Sequence, residues 1–103
     1  MSTPRVYREG NTVPVSIGWF DKYGAPSTPV SVRYRVFSAA SGAPVSAVIP
    51  VAEVGQTMEI QIPGAYLPAL GERRHLKIQI EATFAFNEQW TAPDVEVIIE
   101  KRR

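Results

Sequence analysis

The sequence predicts an all-β fold built from two packed sheets. Three observations carry that prediction: apolar residues alternate with period two through most of the chain, glycine and proline break the alternation at short intervals, and no long segment keeps a helical period. The nine prolines strengthen the third point, because a proline inside a helix removes a hydrogen bond and clashes with the preceding turn. A length of 103 residues suits a single domain over 1–103, and 45% hydrophobic with 20% charged residues is globular rather than disordered composition.

Arg5 to Arg8 forms a short first strand, and Gly10-Asn11 turns into a second in which Val13, Val15, Ile17 and Trp19 face inward. Phe20 is out of phase with that face and points outward. The stretch Asp21-Lys22-Tyr23-Gly24-Ala25-Pro26 is a turn. The next run sets Val30, Val32, Tyr34 and Val36 against Ser31, Arg33, Arg35 and Phe37, which makes Phe37 a second outward aromatic. Ser41-Gly42-Ala43-Pro44 ends it, and Val45 to Val51 reads as an edge strand because Pro50 cannot donate to a ladder.

Thr57 to Ile62 alternates Met58, Ile60 and Ile62 inward, and Pro63-Gly64 closes it. Ala65 to Leu70 is expected to be a one-turn helix or corner, with Tyr66, Leu67 and Leu70 plugging one end of the core. Two long strands follow, Arg74 to Phe86 and Gln89 to Lys101. With Asn87-Glu88 as a two-residue turn, Ile80 falls opposite Val95, Ile78 opposite Val97 and Leu76 opposite Ile99, all facing inward. That register sets Trp90 opposite Ala85 on the outer face, and it sets Asp94 against Glu81, a like-charge pair that a bulge at Pro93 could relieve. The same bulge could instead turn Trp90 back onto the core. Seven strands with turns between them and one corner insertion form the pattern of a seven-stranded immunoglobulin-like or fibronectin III-like β-sandwich.

Chemistry is sparse. His75 is the single histidine and there is no cysteine, so histidine triads, thiolate chemistry and multi-histidine metal sites lack their parts. The carboxylates are scattered, with no acidic loop for calcium and no pair in an apolar pocket for glycoside cleavage. No catalytic residue, metal ligand or cofactor site is expected, and the chain reads as a non-enzyme. A net charge of +1, with positive charge concentrated only at Arg73-Arg74 and Lys101-Arg102-Arg103, gives no expectation of nucleic-acid binding. No apolar run is long enough to span a bilayer, and the amino terminus lacks the apolar stretch of a secretory signal, so synthesis in the cytoplasm without membrane attachment is expected.

What exceeds the needs of folding is a set of outward residues. Trp90, Phe20, Phe37 and Tyr23 are aromatic candidates for an interface. Arg33 and Arg35 lie two apart on one strand face, suited either to cross-strand ion pairs with a neighbour bearing Lys77, Gln79 and Glu81 or to a partner.

The run Val15-Ser16-Ile17-Gly18-Trp19-Phe20-Asp21-Lys22-Tyr23-Gly24-Ala25-Pro26, followed by Val32-Arg33-Tyr34-Arg35-Val36 and Ser41-Gly42-Ala43-Pro44, resembles the opening of small immunoglobulin-like domains in tailed-bacteriophage virion proteins. The resemblance implies a virion structural protein, serving as capsid decoration, head-tail component or tail and baseplate module. It also implies a subunit that assembles with other virion proteins or with copies of itself as a homo-oligomer. The alternative expectation is a carbohydrate- or ligand-binding sandwich in which Trp90 and Tyr23 stack on a sugar.

Overall fold

The computed structural model describes residues 5–69, 71, 73–85, 88–92 and 94–101. They form eight strands and a short 3-10 helix: β1 (Arg5–Arg8), β2 (Val13–Gly18), β3 (Ser31–Ser38), β4 (Ile49–Pro50), β5 (Thr57–Ile62), the helix (Gly64–Tyr66), β6 (Arg73–Thr83), β7 (Gln89–Thr91) and β8 (Val95–Glu100). One sheet has six strands in the order β1-β8-β6-β3-β4, with β7 also paired to β6; the other is the antiparallel pair β2-β5. The larger sheet is mixed, because β1 runs parallel to β8 while the remaining pairs are antiparallel. The chain is therefore all-β, with eight strands among the described residues where the alternation suggested seven.

Alternation builds the core as expected. Val13 and Val15 of β2 and Met58, Ile60 and Ile62 of β5 share one buried cluster with Val32, Tyr34 and Val36 of β3, with Leu76, Ile78, Ile80 and Ala82 of β6, and with Val97 and Ile99 of β8. Each fully buried aliphatic side chain contributes roughly 1.5–3 kcal/mol of transfer free energy, so this shared face is what holds the two sheets together. Tyr34 lies in the cluster, and burial pushes its phenol pKa up from 10.0, with a smaller upward contribution from Tyr66.

The corner after β5 departs from expectation in detail. Leu67 and Ala69 are buried and Tyr66 is exposed, so Leu67 does the plugging and Tyr66 does not. Leu70 lies outside the described residues. An added Cβ at Gly64 would strike the backbone of Gly10, far inside van der Waals contact, so this corner and the β1–β2 turn are in direct backbone apposition. Gly10 itself has φ 92°, a left-handed conformation that suits glycine. The expected strand from Val45 to Val51 shrinks to Ile49–Pro50, because Val45 and Ser46 both donate their N–H groups to the single carbonyl of Val36 and leave the ladder.

The largest correction concerns the last hairpin. β6 pairs with β8 so that Ile78 faces Val95 and Leu76 faces Val97, two residues away from the predicted register. A two-residue shift keeps every side chain on its own face, so alternation alone cannot tell the two registers apart. The connection is also longer than two residues: Thr83 and Gln89 are the last pair, and Phe84 N–H donates to Glu88 C=O. Phe86, Asn87 and Pro93 lie outside the described residues.

Ala92 N–H bonds Ile80 C=O at 2.9 Å, and Val95 pairs with Ile78. The chain thus spends three steps from Ala92 to Val95 against two on β6. The extra residue is a β-bulge, and it switches the parity of the strand. Even-numbered Trp90 faces core-side Ala82, and odd-numbered Val95 and Val97 face core-side Ile78 and Leu76. Trp90 is accordingly on the core side of β7, opposite Ala82, and not on the outer face opposite Ala85. Thr91 faces Glu81 in place of Asp94, so the predicted like-charge pair does not form.

Candidate functional site

Topology gathers one group of candidates at one end of the two sheets, where β2 and β6 finish and β3, β5 and β7 begin. The β2–β3 connection is organised by Asp21. Its Oδ1 accepts hydrogen bonds from Tyr23 N–H at 2.8 Å and Ala25 N–H at 3.0 Å, while its own N–H donates to Ala25 C=O at 2.8 Å. Gly24 takes φ 82°, which closes the turn without the strain a Cβ would add. Tyr23 is thereby presented to solvent at 83% exposure, with the Lys22 ammonium 5.4 Å from its ring centre. Phe20 is 53% exposed at the base of the same loop, where it bridges to Pro26.

Beneath the loop the floor is packed and hydrogen-bonded. Trp19 is buried, its indole N–H donates to Met58 Sδ at 3.4 Å, and its ring meets Phe84 edge-on at 5.9 Å between centroids. The Gln56 side-chain amide donates to Trp19 C=O at 2.9 Å and ties the β4–β5 connection to the same floor. Val30 N–H donates to Thr83 C=O at 2.7 Å, yet the Val30 side chain is 69% exposed. Alternation assigned Val30 to the inner face. Pro29 just before it is buried instead, and β3 starts only at Ser31, so Val30 belongs to the loop. Trp90 stands at this end at 40% exposure, where the two-stranded sheet is too narrow to cover the core side of β7. Phe20, Tyr23, Val30 and Trp90 together give this end an apolar, aromatic character over a braced base.

Arg33, Arg35 and Phe37 lie elsewhere, on the outer face of the six-stranded sheet, and both guanidinium groups are engaged within the fold. Arg33 faces Glu81 across β3–β6 and pairs with it at 2.9 Å, and it also donates to Thr83 Oγ1 at 3.1 Å. Arg35 Nε–H donates to Ser46 C=O at 2.9 Å, and its guanidinium lies 5.6 Å from the centre of the Phe37 ring. The cross-strand pairing expected for Arg33 is present. Arg35 anchors the β3–β4 connection rather than pairing with a carboxylate. His75 is exposed on this face, with Nε2 3.7 Å from Glu96 Oε1.

A groove of about 600 Å³ opens between the two sheets on the side of β1 and β2, with Arg5, Glu59, Asp94 and Glu96 among its lining. Its charged groups surround apolar walls from Tyr7, Val13, Val15 and Val97. Among the described residues no group of three or more histidine, cysteine or carboxylate side chains converges as a metal site, and no helix is long and apolar enough to cross a membrane. The arrangement suits non-covalent recognition by an apolar, aromatic surface. Comparison with protein-family models, with curated proteins and with solved structures gives no significant match.

Proposed function

We propose that the chain is an immunoglobulin-like structural module that works by protein–protein assembly in a tailed-phage virion. For the fold, the sheet order supports the assignment: β2 and β5 take the places of strands B and E, and β3, β6 and β7–β8 those of C, F and G. β4 is then a short C′ strand, and β1 is a first strand moved onto G. For the mode of action, the observation that carries the reading is the solvent-facing set Phe20, Tyr23, Val30 and Trp90 on a braced loop end. Aromatic side chains bring a large contact area with few rotatable bonds to order, which is why such residues dominate interface energetics.

The virion assignment rests on the resemblance of the Val15–Pro26 and Ser41–Pro44 stretches to phage domains of this type. Mass spectrometry of purified particles produced by the genetic element that encodes the chain tests it directly. The chain should co-purify with virions in stoichiometric amounts. Its confinement to the soluble fraction of producing cells, with none in particles, would exclude a virion role. A second reading, sugar binding, draws on Tyr23 and Trp90 sharing one end, and a glycan array without any binding removes it.

A further inference from the structure

We propose that β2 is a self-pairing edge, through which two copies of this chain join into a continuous four-stranded sheet in the order β5-β2-β2-β5. The inference is independent of the virion reading and uses a different surface from the loop end.

β2 has β5 on one side and, among the described residues, no strand on the other. Trp19 N–H bonds Gln56 C=O on the β5 side, so by strand alternation the odd-numbered residues of β2 turn their amides to β5. The even-numbered residues Pro14, Ser16 and Gly18 therefore turn theirs to the open edge. An antiparallel two-fold pairing centred on Ser16 places Ser16 opposite its own copy and Gly18 opposite Pro14. The two Ser16 residues exchange N–H and C=O bonds, and each Gly18 N–H meets a Pro14 C=O. Pro14 lacks an N–H, so the pairing loses only the two bonds to Gly18 C=O and keeps four.

Side chains agree with this register. On the core side it brings Val15 of one copy against half-buried Ile17 of the other, an apolar contact. On the solvent side it meets only Pro14, Ser16 and Gly18, which are small and uncharged. The other open edges are shorter or charged. β5 centred on Glu59 would set carboxylate against carboxylate, β4 has two residues and β7 three, and the four residues of β1 begin and end on arginine. β2 is six residues long and carries no charge, the features of an edge left open to association. The groove of about 600 Å³ runs beside Val13 to Ser16, so the incoming strand finds open space there.

Sedimentation equilibrium over a concentration series, together with amide exchange, tests the proposal. The wild-type chain should reach twice its 11.4 kDa mass as concentration rises, with Ser16 and Gly18 amides slowing in step. Ser16→Pro deletes both central donors without removing a bond to β5, and Pro14 already shows that the row accepts proline. It should weaken the dimer by roughly 10-fold or more with an unchanged circular dichroism spectrum. Ser16→Lys, which sets one ammonium against its copy across the axis while facing Glu59 in its own chain, should weaken it in a salt-dependent way. A chain that stays monomeric at millimolar concentration overturns the proposal, and if its Ser16 and Gly18 amides are nonetheless protected, the edge is covered from within the chain. A dimer that both variants leave intact assembles elsewhere and overturns it equally.

Discussion

Asp21→Ala should loosen the loop that carries Tyr23 and leave the core untouched. The carboxylate accepts two backbone N–H bonds, at 2.8 and 3.0 Å, and both are exposed. A buried hydrogen bond to a charged acceptor contributes roughly 1.5–3 kcal/mol, but here water can replace the lost acceptor, so the lower neutral range of about 0.5–1 kcal/mol each applies. The two together come to about 1–2 kcal/mol. If the loop opens as part of the global unfolding unit, Tm should fall by about 5–10 °C for a domain of this size. If it opens locally, Tm holds and exchange at Tyr23 and Ala25 accelerates by roughly 10-fold, since about 1.4 kcal/mol corresponds to a factor of ten. Asp21→Asn keeps an acceptor and should show less than half of either effect. Hydrogen exchange read by NMR, alongside a thermal melt, covers both cases. Unchanged Tm and unchanged exchange at both amides in Asp21→Ala would refute the bracing role.

Three other outcomes follow from the packing. Tyr34 has its pKa raised by burial, so the folded state holds the phenol proton more tightly than the unfolded chain. That contribution is fully present below pH 10.0 and is lost as pH rises through the folded-state value, so alkaline unfolding should begin later in pH for Tyr34→Phe than for wild type in a pH-jump fluorescence assay. Gly64→Ala forces the corner away from the Gly10 backbone and should cost about 1–3 kcal/mol in chemical denaturation. Of the two tryptophans, Trp19 is 5% and Trp90 40% exposed, so acrylamide should quench one emitting population readily and the other poorly. Trp90→Phe should leave only the protected one.

Legibility in the sequence divides along physical lines. Strand β5 appears with its predicted bounds, and within the described parts of β2, β3 and β6 the residues that alternation turned inward, Val13 and Val15, Val32 to Val36 and Leu76 to Ala82 at every second position, are buried, because a period of two responds directly to burial on one face. Register is a weaker signal. Pairing Ile78 with Val95 or with Val97 buries the same faces, and only the length of the 84–88 connection and the bulge before Val95 decide between them. Trp90 hangs on the same choice: the unbulged register sets it outward and a bulge turns it to the core, and Pro93 with the Asp94–Glu81 conflict marks in the sequence where that choice lies. The parallel seat of β1 on β8 left no trace in the pattern, since four residues alternate equally well beside any edge. At the candidate site, Phe20 and Tyr23 were legible as out-of-phase or turn aromatics. Val30 was not, because its apolar side chain continues the period of β3 one step past the end of the ladder.

The central claim is that the loop end bearing Phe20, Tyr23, Val30 and Trp90 is an assembly surface, and Tyr23→Ser tests it most directly. Tyr23 is 83% exposed, so removing its ring should leave Tm unchanged within error. Binding of the purified chain to virions stripped of it, measured by co-sedimentation against concentration, should weaken by at least about tenfold, as expected for a central aromatic in an interface. A Tyr23→Ser chain that binds stripped particles as tightly as wild type would contradict the account.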